Sequence, residues 1–253
     1  MRSQGYALLA LMGVASTAAR GADAIVSSFQ QSSIQGVTTE GWAGSLDWVH
    51  PLPPSATTIF GASWRQIGLY HRLLAHAGEE LSPVAGLTID ADFAAGDVHD
   101  GLSSYGHVQT LLRVGYAFTP RISIALEDQY VSAGPLHGEL RGALWTYRPL
   151  SVVTIQIKQL LTVAGNLNSQ ATSARIDYIR RAELFVGAAA GDAAPQLSDK
   201  PIFGSGTFKE VYAGIAHPIG RTTCTLLIDR YVTTNSRQWT TTLLANVPLP
   251  EHK

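Results

Sequence analysis

Few residues in this chain have the types and spacing to do chemistry. Asp90 and Asp92 stand two apart, and Asp97, His99 and Asp100 follow a few residues later. Side chains two apart on an extended chain share a face, so Asp90 pairs with Asp92 and Asp97 with His99. A carboxylate beside a histidine can activate water as a general base, which makes Asp97, His99, Asp90 and Asp92 the candidates for a hydrolase, either a protease or a lipid-modifying enzyme. Both pairs lie on one strand and its loop, whereas such a cleft draws its acids from opposed walls. An ordinary polar loop, or a loop touching a cation, carries the same residues. A serine nucleophile needs a base within reach, and none of the 8 histidines is followed by serine two residues later. His71, His76, His107, His137, His217 and His252 are dispersed without metal-ligand spacing. Cys224, the single cysteine, allows neither a disulfide nor a thiolate zinc site within the chain. No catalytic residue, metal or cofactor is assigned.

The elements that must position these residues are strands. From Trp42 onward apolar residues recur with period two, the mark of extended chain with two different faces. Over 84–95, Leu87, Ile89, Ala91 and Phe93 oppose Thr88, Asp90 and Asp92. The same rule holds over 107–118, 121–131, 152–162, 172–180 and 222–232, with weaker copies over 42–50, 55–65, 137–147, 182–190, 207–217 and 237–249. Tight turns at 51–54, 119–121, 147–150, 180–181 and 217–221 alternate with longer Gly-, Ser-, Asp- and Asn-rich connections at 96–105, 131–136, 163–171 and 191–206. This layout describes an all-β, antiparallel up-and-down barrel of about 12 strands, with about 10 to 14 compatible, since single-chain bacterial barrels are even-numbered. Segment 67–76 fits a further strand or a loop helix, and 24–33 fits a strand or a disordered lead.

Such a meander closes either as a soluble barrel with charge outside or as a transmembrane barrel with charge inside. Only 15% of the 253 residues are charged, where about a quarter is ordinary for a soluble protein. Trp42, Trp48, Trp64, Tyr116, Phe118, Tyr130, Trp145, Tyr147, Tyr178, Tyr231 and Trp239 sit near strand ends, where interfacial girdles belong. These features favour the membrane. The charges opposite the apolar face then line the lumen: Arg113, Glu127, Glu139, Arg141, Lys158, Arg175 and Asp177, together with Asp90, Asp92 and Asp229. Mixed signs in a confined low-dielectric space are expected to pair, because an unpaired charge there is costly. Cys224 falls on the apolar, lipid-facing side.

Arg2, an apolar run over 6–15 and then Ala22, Asp23 and Ala24 read as a secretory signal peptide cut after Ala24. The run is well short of the ~20 residues of a membrane helix. The domain reading is a leader over 1–24, a short lead over 25–41, the barrel over 42–249 and a tail over 250–253. With 18 Lys and Arg against 19 Asp and Glu, and no basic run, nucleic acid is not an expected partner.

The leader, the single small barrel, the turn segment VGYAFTPRISI over 114–124, the stretch 142–154 and GTFKEVYAG over 206–214 resemble the YaiO-type family of bacterial outer-membrane β-barrels in layout. The resemblance implies a cell outer-membrane location, outer-membrane lipid and the barrel-assembly machinery as partners, and a link to surface polysaccharide. It brings no catalytic residues. The expected function is that of a non-enzymatic outer-membrane barrel assisting export or surface handling of polysaccharide or a small solute. A loop-acid hydrolase and a soluble secreted binding barrel are the alternatives. The protein should fractionate with outer membrane, resist carbonate extraction and migrate differently on gels before and after heating. Recovery as a soluble periplasmic monomer would exclude the membrane reading.

Overall fold

A computed structural model describes residues 23–35, 40–52, 55–134, 136–164, 167–193, 206–234 and 236–249. The described chain forms 14 strands: β1 (Ala24–Gln35), β2 (Glu40–Leu52), β3 (Ala56–Ile67), β4 (Tyr70–Val84), β5 (Leu87–His99), β6 (Ser104–Thr119), β7 (Ile122–Ala133), β8 (Leu136–Leu150), β9 (Val153–Ala164), β10 (Leu167–Ile179), β11 (Glu183–Ala193), β12 (Gly206–Ile219), β13 (Thr222–Thr233) and β14 (Arg237–Pro248). Each pairs antiparallel with its sequence neighbours, and β1 closes on β14 with Ala24 opposite Pro248 and Gln35 opposite Arg237. Closure leaves no unpaired sheet edge.

The count exceeds the expected twelve by β1 and β4. The segment read as a lead over 25–41 forms β1 and the start of β2. β1 is hard to see in sequence because its two faces are chemically alike: Val26, Gln30, Ser32 and Ile34 are buried, while Ile25, Ser27, Phe29, Gln31 and Ser33 lie between them. β4 mixes both faces in the same way, with Tyr70, Arg72, Leu74 and His76 inward and His71, Leu73 and Ala75 outward. Backbone pairing on both flanks makes them strands. Asp23 and Ala24, read as the leader's last residues, belong to the closing seam: the Asp23 carbonyl accepts from Leu249 N–H at 2.6 Å, and its carboxylate meets His50 Nδ1 at 2.6 Å. Residues 1–22, the rest of the segment read as a leader, lie outside the described residues.

The long connections are also shorter than expected. β5 and β6 pair up to His99 and Ser104, β7 and β8 up to Ala133 and Leu136, and β9 and β10 up to Ala164 and Leu167. Turn-forming residues are accommodated there because the ladder satisfies their backbone whatever their side chains. Residues 194–205, between β11 and β12, lie outside the described residues. At the terminal end, two-residue turns at 85–86 and 220–221 contain Gly86 (φ 83°) and Gly220 (φ 65°), the left-handed backbone that tight hairpins favour and side chains resist.

The outer face is apolar and aromatic. Near the termini Trp48 stacks on Phe60 with centroids 6.1 Å apart, and Tyr116 meets Phe118 edge-on at 5.2 Å. Towards the other end stand Trp64, Tyr130 and Trp239, all exposed. Tyr231 departs from the expected girdle: it is buried inside the barrel and stacks on Phe208. Cys224 lies on the outward-facing register of β13, two positions from exposed Leu226. In a Cys224→Ala background, single cysteines at Asp100 and Asn168 should be labelled from outside intact cells, while one at Arg148 or Arg180 should not. The reverse pattern would invert the orientation.

Candidate functional site: a charged belt on the inner wall

The inward faces of several strands carry paired ionisable groups. Asp90 on β5, Arg113 on β6 and Glu127 on β7 occupy successive rungs of the ladder, Asp90 opposite Arg113 and Arg113 opposite Glu127. Arg113 Nη2 donates to Glu127 Oε2 at 3.1 Å, and Nη1 lies 3.6 Å from Asp90 Oδ2. Lys158 on β9 pairs with Glu127 as well. β8 runs between Glu127 and Lys158, and the bridge spans it because Gly142 stands opposite Glu127: a Cβ on Gly142 would come within 2.6 Å of the Glu127 Cγ. Arg113, Glu127 and Lys158 are each about nine-tenths removed from water. Burial on this scale costs several kcal/mol per ion, and losing one partner costs ~3–5 kcal/mol because the other charge is stranded.

A second group repeats the device. His76 Nε2 on β4 lies 2.7 Å from Asp47 Oδ1 on β2, across β3. The intervening residue is Gly61, whose added Cβ would lie 2.7 Å from the His76 Nε2 and collide with the Asp47 carboxylate. Ser45 Oγ donates to Asp47 Oδ2 at 3.2 Å, and Ser45 in turn meets Ser28 at 2.8 Å. Asp92 stands opposite Gly78 on β4, which leaves room for its carboxylate. A third group joins Arg175 and Asp177 on β10 to Glu183 on β11, with Arg175 Nη2 donating to Glu183 Oε1 at 2.9 Å and the guanidinium 4.2 Å above the Phe185 ring.

Of the lumen residues expected from sequence, Arg113, Glu127, Lys158, Arg175 and Asp177 stand on this inner wall, as do Asp90, Asp92 and Asp229. Glu139 and Arg141 do not. They face outward and pair with each other, Arg141 Nη2 donating to Glu139 Oε2 at 2.7 Å. The apolar lower half of β8 sets the register, because Trp145 and Tyr147 are exposed on the outer face and every second residue above them must follow. The inward positions of β8 are consequently Gly138, Leu140 and Gly142.

The hydrolase candidates separate. Asp90 and Asp92 point inward, while Asp97 and His99 are exposed on the outward register of β5. His99 Nδ1 meets Ser104 Oγ, with no carboxylate of the inner pair on its face. Asp100 closes the 100–103 turn by accepting from the N–H of Leu102 at 3.0 Å and of Ser103 at 2.8 Å. Those two donors hold its carboxyl below the ordinary aspartate range. Sequence reading missed Asp47, His76, Arg65, Arg72, Glu183 and Glu210 as inward groups. The recoverable signal was the glycine pairing, because a glycine facing inward beside a charged rung marks where a side chain crosses a strand.

No protein-family model matches the chain, and no curated protein matches it in sequence. Solved structures match it in shape. CymD, described as a monoaromatic hydrocarbon channel, superposes with a TM-score of 0.67 at 8% identity, covering 92% of this chain and 90% of its own. A bacterial polysaccharide outer membrane secretin superposes with a TM-score of 0.59 at 7% identity, covering 92% of this chain and 100% of its own. The chain has the fold of an outer-membrane β-barrel. The likeness is one of fold alone. The YaiO-type resemblance is not what these structures display.

Substitution at the glycine window tests the belt. Gly142→Leu should force Glu127 away from Lys158 and lower stability by ~3 kcal/mol or more, read as a lower temperature for loss of the folded gel band. Val211→Leu, an outward substitution on β12, should leave that temperature nearly unchanged.

Proposed function

We propose that the protein is a non-enzymatic outer-membrane conduit for a small polar solute. The carrying observation is the inner wall: a closed tube whose inward side chains include Arg65, Arg72, Asp90, Arg113, Lys158, Glu210 and Asp229, inside an exterior of exposed Leu, Ile, Val and aromatic residues. Charges are retained in such a setting only with structural or transport roles, since each is costly to bury. Fourteen strands make a wider tube than twelve, because barrel diameter grows with strand number. The paired belt then acts as the constriction, with the fixed signs of Arg113, Glu127 and Lys158 deciding which ions and solutes pass. The two shape neighbours support a transport role, as a channel and a polysaccharide secretin by name.

Handling of surface polysaccharide is the second reading. It is favoured by the inward aromatic residues Phe208, Tyr212 and Tyr231 on β12 and β13, with Gln238 opposite Tyr231 and Thr240 opposite Asp229 on β14, surfaces suited to sugar rings and hydroxyls.

The test is conductance of the purified protein in planar bilayers under a salt gradient. Arg113→Gln combined with Lys158→Gln removes positive charge from the constriction, so the reversal potential should move towards cation preference. Arg141→Gln, on the outer face, should leave it unchanged. A barrel that is folded yet carries no current and swells no liposomes would refute the conduit. Block of that current by neutral oligosaccharides, absent with small polar solutes, would favour the glycan reading.

A further inference from the structure

We infer that the outer face of β7 and β8 is an interface between two copies of this chain, related by a twofold axis along the membrane normal. Asp128 on β7 stands opposite Arg141 on β8 in the ladder, and Arg141 is bonded to Glu139. All three face away from the lumen, with the Arg141 side chain 61% and the Glu139 side chain 45% exposed. Their height on the wall is given by the flanking strands. Leu112 of β6 pairs with Asp128, and Leu161 of β9 pairs with Arg141, and both present exposed apolar side chains outward. The charges therefore interrupt the apolar band rather than sit above it. On β7 the outward apolar column Ile122, Ile124, Leu126 is interrupted by Asp128 before Tyr130, and on β8 Tyr147, Trp145, Ala143 ends at Arg141. An arginine facing lipid at mid-depth costs ~2–4 kcal/mol.

The chemistry of the patch chooses the occupant. Two carboxylates and one guanidinium within the apolar band find no partner in lipid tails. A second copy complements the patch, because Asp128 and Arg141 lie on adjacent strands at nearly the same height. A twofold axis between β7 and β8 brings Asp128 of each copy against Arg141 of the other, the reciprocal contact of an isologous interface. Charge-assisted hydrogen bonds shielded from water are the strong ones. This inference is independent of what passes through the barrel.

The experiment uses full-length protein in native outer membranes, in the Cys224→Ala background. Ala143→Cys lies beside the proposed axis and should cross-link to itself under mild oxidation, whereas Val211→Cys on β12 should not. Adding Asp128→Arg alone, or Arg141→Asp alone, should lower the dimer yield at least tenfold, because both copies carry the change and both reciprocal charge pairs are lost. The two together should restore it. Retention of the folded gel band checks each variant. Cross-linking of Ala143→Cys no greater than that of Val211→Cys would overturn the proposal, and so would a folded double variant that stays monomeric while the parent dimerises. The first comparison involves no change of charge, so it stands even where a single reversal fails to fold.

Discussion

Everything in this molecule depends on backbone hydrogen bonding being completed within the wall. Hydrocarbon offers no partner to an N–H or C=O, and each one left open there costs several kcal/mol. The seam between β1 and β14, unbroken from Ala24 opposite Pro248 to Gln35 opposite Arg237, removes the last free edge. Once the ladder is closed, the side chains are released from any duty to the backbone, and strands as unpromising as β1 and β4 are held in place by their neighbours.

Closure also creates two environments with opposite rules. Outside, apolar and aromatic residues meet lipid at low cost. Inside, ionisable groups are crowded together with little water, so they persist by pairing. Pairing between alternate strands requires a gap in the strand between, and the gaps are glycines. Gly61 lets Asp47 reach His76, and Gly142 lets Glu127 reach Lys158. Glycine is usually a weak strand residue, lacking a side chain to pack. In this wall its missing side chain is the opening through which the charge network runs.

The site follows from that network rather than from any catalytic constellation. Asp90 and Asp92 are drawn into the belt by their inward register, while Asp97 and His99, a few residues further along the same strand, fall on the other face. The change of face reflects odd and even position and nothing else. The same parity rule places Glu139 and Arg141 outside, where they and Asp128 form a polar break in the apolar surface of β7 and β8. Inner charges and outer charges are thus the same residue types put to different uses by one residue of register.

The sequence by itself determined the class. Strong two-faced alternation over 84–95, 107–118, 121–131 and 222–232 calls for sheet, and a charge content low for a soluble surface favoured the membrane as its solvent. It also marked Arg113, Glu127, Lys158, Arg175 and Asp177 as inward, because on those strands the apolar face is unmistakable. Tertiary structure decided the rest. β1 and β4 have no chemical contrast between faces, so only pairing with both neighbours makes them strands and brings the count to 14. On β8 the charges at Glu139 and Arg141 suggested one register, while the lipid-facing Trp145 and Tyr147 imposed the other. Which acid meets which base was never legible, since Glu127 and Lys158 are separated by an entire strand and joined only through the space above Gly142. Alternation is a local property that a chain displays residue by residue, whereas register and cross-strand reach exist only once separate strands have been laid side by side.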